Sequence, residues 1–436
     1  MIPRYTTPEL ARIWSDGHRY RTWLRVEIAS AAAWEARGLV PAGASARLTA
    51  TAAGLDFEKL SARSLEIEKT TQHDVIAFLS ACEEVLGDDA RHLHFGMTSS
   101  DVVDTAFALL LQESGTAVAR ALDDVLAALK KQALAHQKTP CLGRTHGQAA
   151  EPTTFGLKLL SFYAELARGR ARLQLALDEV RSGKLSGAVG NYGNIPPEIE
   201  RHALDSLGLR VEDVATQVVP RDRHAVFFAT LAVIGGGIER IAVEVRHLQR
   251  TEVKEAFEPF GQGQRGSSAM PHKKNPILSE NLTGLARLLR GYAGAALEDI
   301  ALWHERDISH SSVERVIAPD ATTALHFALK RTHKLVDGLV VDAAQMRKHL
   351  DAAGDIVASG GILLALVEKG VMRQEAYGWV QRCALAPSRD TPSFRDRLKA
   401  DVDVAKHLDA ASIDRLCSLE SQLQHVDTIF ARVLGP

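Results

Sequence analysis

Cysteine is scarce, and the few cysteines present exclude two architectures. Cys82, Cys141, Cys383 and Cys417 lie far apart and form no CxxC pair, which argues against a zinc ribbon and a disulfide framework and suits a reducing compartment. Charge of one sign is also missing. Lysine and arginine number 52 against 54 acidic residues, a net charge of −2, so no broad field draws the chain to nucleic acid or to an acidic membrane surface. A charged ligand must be met by local groups. The longest apolar stretch, Ala225 to Ile238, is broken by Thr230 and a glycine triplet, and the opening MIPRYTTPEL lacks the apolar segment of a signal peptide. The expectation is a soluble, cytoplasmic protein with no membrane and no nucleic-acid partner. Alternating apolar runs that would mark a sheet are nearly absent, as are repeats and low-complexity segments.

What is present is helical periodicity over a length of 436 residues, enough for two or three domains. The run Thr22 to Gly38 has helical spacing and ends at Gly38 and Pro41. A single helix is expected from Val102 to His136, with Val118, Leu122, Val125 and Leu129 as its buried stripe. Another is expected from Thr153 to Arg181. Phe227, Leu231, Ile234, Ile238, Ile241, Val245 and Leu248 keep a four-three rhythm, and helices of this kind bury their stripes only in a bundle. After about Asp351 the helices shorten, with Pro387 and Pro392 as breakers. The fold class is all-α, with domains expected at 1–100, 101–350 and 351–436.

The chemistry-bearing residues fall in the interruptions. Gly261 to Glu280 reads GQGQRGSSAMPHKKNPILSE. Its glycines and serines predict a mobile loop, and Asn275-Pro276 predicts a helix start with Asn275 as N-cap. Leu278, Leu282, Leu285, Leu289, Tyr292 and Ala296 then follow as a buried face. Residues 261–266 spell the dinucleotide-binding G-x-G-x-x-G, but a charged, helix-like TEVKEAFEPF precedes them where a strand is required. His304-Glu305 lacks a second histidine at Ile308, which excludes the metalloprotease helix, and His92 with His94 lacks a third ligand, so no metal is expected. Interruptions near His94, His146, Arg221 and Ser267 sit at ends of long helices, where side chains and free N–H groups can gather around an anion. His146 can donate a proton near neutral pH. Ser267 can act as a base only in a positive local field, from Lys273 or the helix N-terminus at Pro276. His73 and Asp74 follow Thr70-Thr71-Gln72, and Ser99 or Ser100 suits an N-cap. Ser311 and Arg315 share a helix face, with Arg306 shortly before.

The segment GSSAMPHKKNPILSE resembles the signature of the fumarase/aspartase superfamily. RY at Arg4-Tyr5, QHDV from Gln72, HFGMTSSDVVDTA from His94, GRTHGQ from Gly143, TQVVPRDRHA from Thr216 and WHERDISHSSVERV from Trp303 narrow the resemblance to its branch acting on succinylated purine nucleotides. The resemblance implies three helical domains, a homotetramer with a 20-helix core, and active sites shared between subunits. It implies fumarate release from adenylosuccinate and from the succinylcarboxamide ribotide, with no cofactor. By the same resemblance Ser267 is the base and His146 the acid. Lys273, Asn275, Thr98 and Ser99 bind the succinyl carboxylates, His73 and His94 line the site, and Glu280 orients a histidine or Lys273. Arg4, Tyr5, Arg306, Ser311 and Arg315 form the nucleotide side, and Gln217 contacts substrate. Gln72 and Asp74 complete the set, although Gln72 stands where a basic residue is frequent. The alternatives are a carboxymuconate cycloisomerase, an argininosuccinate lyase, or a non-catalytic structural helical protein.

Overall fold

The computed structural model describes residues 1–261, 263–267, 269–385 and 392–435; Ser268 and Pro387, both singled out in the sequence, lie outside the described residues. The chain is helical, and among the described residues strands occur only as three two-stranded pairs. It divides into two compact units. The first joins Met1–Asp124, Ala167–Glu239 and Asn281–Thr332; the second joins Val125–Leu166, Arg240–Glu280 and His333–Pro436.

The long helices form where the sequence placed them, with one more, Ser309–Asp337, that its periodicity did not mark. They span Ser99–Ala135, Phe155–Glu179, Asp222–Leu248, Ile277–Glu298 and Ser309–Asp337. All seven apolar residues of the Phe227 to Leu248 stripe are buried, which stabilises the fold by on the order of 10 kcal/mol. That outweighs the intrinsic cost of Gly235, Gly236 and Gly237 in mid-helix, about 1 kcal/mol each. Gly235 has a packing reason: a Cβ there would lie 2.6 Å from Leu289 Cδ1, so glycine lets a neighbouring helix approach. This helix is also long and apolar enough to cross a membrane by length and composition, yet more than half of it is buried within the protein.

Two local differences from the sequence reading have simple causes. The Asp16–Ala36 helix starts well before Thr22 because Ser15 caps it, accepting from His18 N at 3.1 Å. The stretch around TEVKEAFEPF is not helical: Ala256–Phe257 pairs antiparallel with Val340–Val341, and the next helix opens only at Ile277. A short strand thus does precede the glycines, but no helix opens from them before Ile277, and on that ground the dinucleotide-binding reading fails.

Candidate active site

In the first unit some of the expected binding residues are joined to one another. His73 is the N-cap of the Asp74–Leu86 helix, and its Nδ1 accepts from Ile76 N. Gln72, with φ 52°, ends the preceding helix and turns its side chain back to Lys69 O at 2.8 Å. The Asp74 carboxylate reaches Arg315 Nη2 at 2.5 Å, and Arg315 Nε donates to Ser311 Oγ at 3.3 Å. The start of the long Ser99–Ala135 helix is set by Asp101, which accepts from Thr98 N at 2.8 Å and is paired with the fully buried Lys184 at 2.5 Å. Gln217 then links two expected residues, donating to Thr98 Oγ1 at 3.5 Å and accepting from Arg306 Nη1 at 3.3 Å. Tyr5 packs its ring 5.3 Å from Phe327, while Arg4 is exposed.

His94 occupies a left-handed backbone position, φ 59°, and is fixed by the buried Glu27. One carboxylate oxygen accepts from His94 N at 2.6 Å and the other contacts Nδ1 at 2.8 Å. Burial pushes the imidazole toward its neutral form, but the Glu27 hydrogen bond and charge, with Asp101 behind them, outweigh it and hold the pKa above the usual histidine value. With Nδ1 engaged, Nε2 is left as the group that can meet a ligand.

Arg221 marks the polar interruption before the Asp222–Leu248 helix. It is buried between Asp104 and Glu314, bidentate to Asp104 at 2.6 and 2.9 Å and 3.1 Å from Glu314, which also contacts His224 Nδ1 at 3.0 Å. Burial opposes the Asp104 charge, but Arg221 wins and holds its carboxyl at about 2. Arg221 is thus committed to the interior and has no free fork for an anion.

The second unit carries His146, Ser267, Lys273, Asn275 and Glu280. The polar interruption around His146 is a β-hairpin, Pro140–Thr145 against Gln148–Thr154, closed by the Thr145 and Gln148 pair. His146 and Gly147 form the two-residue turn at φ 54° and 76°, the left-handed geometry that matches the twist of paired strands. His146 is exposed and, among the described residues, makes no side-chain hydrogen bond. A cleft of about 1110 Å³ runs beside the hairpin, lined by Arg144, Thr145 and Gln148 but not by His146. Its cations Lys158 and Arg240 are already paired with Glu244 and Glu165.

Ser267 Oγ accepts from Ala269 N at 3.3 Å and Met270 N at 3.1 Å. These donors favour negative charge on the oxygen, a local field from the turn itself. The loop is closed at its base by Asn275, whose amide donates to Gly266 O at 3.0 Å. A Cβ on Gly266 would come within 2.1 Å of Lys273 O, so glycine is required by close approach. Asn275 is not the helix cap. Leu278 N and Ser279 N donate to Glu258 Oε2 and Oε1 at 3.0 and 2.7 Å, so a carboxylate already occupies the positive end of the helix. The field expected there for Ser267 is largely spent on Glu258. Lys273 and Glu280 are exposed.

The sequence reading missed Glu27, Glu255 and Glu258. Glu27 could have been found as a charge three residues after Leu24 and one after Val26, on a helix whose neighbours are all core. Glu255 and Glu258 sit in a segment read as a charged helix, which hid both as buried carboxylates.

Residues 4–291 match the family described as lyase, and residues 355–433 match the family described as adenylosuccinate lyase C-terminus. An adenylosuccinate lyase of Thermotoga maritima is 48% identical over 432 residues, covering 99% of each chain. One from Aquifex aeolicus is 46% identical over 435 residues, covering 100% of this chain and 99% of the relative. Among solved structures, a fumarate lyase from Mesorhizobium sp. BNC1 superposes with a TM-score of 0.88 at 24% identity, covering 100% of this chain and 99% of the other. A 3-carboxy-cis,cis-muconate lactonizing enzyme from Pseudomonas putida gives 0.86 at 28% identity, covering 99% and 97%.

Proposed function

The chain belongs to the adenylosuccinate lyase family, and we propose from that premise that it catalyses the anti β-elimination of fumarate from adenylosuccinate, leaving AMP, and from succinylaminoimidazole carboxamide ribotide, leaving AICAR. The observation that carries this reading is similarity at nearly half of all positions across the full chain. Ser267 takes the proton from the carbon beside one succinyl carboxylate, and its two N–H donors support the alkoxide this needs. Charge builds on that carboxylate as an aci-anion, stabilised by Lys273, Asn275, Thr98 and Ser99. His146 protonates the departing amine. His94, oriented by Glu27, offers Nε2 to a substrate oxygen, with His73 and Glu280 nearby in role. Gln217, Arg306, Ser311 and Arg315 bind the nucleotide side with Arg4, Tyr5 and Gln72, and Asp74 aligns Arg315. Proton transfers suffice, so the reaction asks for no cofactor.

The wider setting follows from the same reading: a cytoplasmic homotetramer in de novo purine, IMP and AMP biosynthesis, its sites shared between subunits and its helices forming a 20-helix core. The exposed Val226, Val233 and Val243 on the Asp222–Leu248 helix support such packing. For the domain boundary at 350, support comes from an apolar cluster contained between Ala358 and Cys417; the boundary at 100 stays part of the same proposal. Fumarate release from adenylosuccinate by the purified protein tests the activity. Turnover that disappears in Ser267→Ala supports it, whereas turnover only on carboxymuconate or argininosuccinate, or on no substrate, contradicts it.

A further inference from the structure

One buried carboxylate in the second unit has no part in the chemistry above, yet it holds the hairpin that carries His146. Glu255 is 1% exposed. Both of its carboxylate oxygens accept from the Arg144 fork, at 3.0 and 2.6 Å. Oε1 also meets His349 Nδ1 at 2.6 Å, and His349 Nε2 contacts Gln345 Nε2 at 2.8 Å. The His349 ring is thus held between the Gln345 amide at Nε2 and the Glu255 carboxylate at Nδ1. Burial alone would raise the Glu255 pKa, but Arg144 and His349 together lower it, so the group is a carboxylate. Its backbone is fixed at both sides, N–H to Leu248 O and C=O from Asp342 N, each 2.9 Å.

Arg144 lies two residues before His146, immediately after the register shift that separates Leu142 from Arg144 in the hairpin. At that irregularity the strands are pressed together, because a Cβ on Gly143 would come within 2.4 Å of Glu151 O. Among the described residues, the ladder beyond Arg144 continues only through the Arg144–Ala149 and Thr145–Gln148 pairs, and the His146 side chain makes no hydrogen bond. The stem's direction is therefore set where the Arg144 fork grips Glu255. A general acid must reach its target within about 3 Å, and a displacement of about 1 Å costs on the order of 100-fold.

We propose that Glu255, acting through Arg144 and backed by His349, is a positioning residue that aims His146 at the leaving group. This rests on the assignment of His146 as acid under the proposed function. Glu255→Gln keeps size but weakens the double grip, and it is expected to lower kcat by about 10- to 100-fold with KM changed by less than about 3-fold. In a His146→Ala background the same substitution is expected to change kcat by less than about 2-fold, because a residue acting through His146 has nothing left to aim. A merely structural role would give the same loss in both backgrounds and overturns the inference. Arg144→Lys, which keeps the charge and loses the fork, is measured in parallel and should show the same pattern even if Glu255→Gln folds poorly. Amide exchange across residues 143–149 is read on the substrate-free protein and should quicken in either variant. Unchanged exchange overturns the inference whatever the enzyme turns over, whereas an inactive wild type with quickened exchange in the variants contradicts only the proposed function.

Discussion

The two units treat their functional residues differently. In the first, several expected binding residues are held by another protein group: Glu27 on His94, Gln217 between Thr98 and Arg306, Asp74 on Arg315. In the second, among the described residues, His146 is exposed and without a side-chain hydrogen bond, and Ser267 is held only by N–H groups of its own turn. Under the proposed roles, the binding residues of the first unit would be preorganised before the ligand arrives, which avoids part of the ordering cost at binding. The proposed acid and base would be left open, their final geometry depending on what closes around them.

Substitutions that remove a proton-moving group should separate the two halves most sharply. His146→Ala and Ser267→Ala are each expected to lower kcat by about 100- to 10,000-fold with substrate affinity nearly intact, read by steady-state kinetics beside isothermal binding. Arg315→Ala should do the opposite, raising KM by at least about 10-fold, because its fork is already aligned by Asp74. A Ser267 variant that mainly loses affinity would erase the contrast.

Glu27→Gln tests preorganisation itself. Glu27 raises the His94 pKa, so the protonated ring persists to higher pH than a free histidine. Removing the carboxylate should shift the basic limb of the kcat/KM profile to lower pH and reduce its plateau by about 10-fold. The stability that this pair contributes is fully present below the unfolded histidine pKa and is lost as pH rises through the raised folded value. Thermal melts should therefore show wild type and Glu27→Gln converging as pH increases.

Two smaller effects concern stability alone. Burial, with the Glu314 charge adding to it and Arg221 opposing, pushes the Asp299 carboxyl up to about 6, and its Oδ2 has no partner. Because the folded state holds this proton more tightly than the unfolded state, stability falls as pH rises from the unfolded value through about 6. Asp299→Asn should raise Tm at pH 8 and leave it nearly unchanged at pH 4. Glu258→Ala removes the cap of the Ile277–Glu298 helix and should cost about 1 kcal/mol in chemical denaturation, whereas Asn275→Ala should cost less at the helix and more in kcat through the Ser267 loop.

The sequence was most legible where one periodicity governs many residues. The Phe227 to Leu248 stripe and the helices around it followed from spacing because burial of a whole face dominates every local preference. The motif residues stood out through whole motifs rather than through single side chains, since an arginine fork also serves buried ion pairs such as Arg221–Asp104. The hairpin was not, because CLGRTHGQAAEP lacks the β-branched alternation of a strand; only the His146-Gly147 pair, suited to a left-handed turn, pointed to it. Arg221 marked one of the polar interruptions and is an interior ion pair, a fate set by Asp104 and Glu314 arriving from other helices. Glu258 caps a helix that begins 19 residues after it, which no local signature encodes.

The most direct test of an open catalytic half completed by another copy of the chain is a mixing experiment. His146→Ala and Ser267→Ala proteins, each inactive alone, are unfolded and refolded together, and heteromers are verified by mass spectrometry before fumarate release from adenylosuccinate is measured. The account predicts that activity returns in the mixture, because some sites then draw an intact His146 and an intact Ser267 from different subunits. Verified heteromers that remain as inactive as the parents would contradict it.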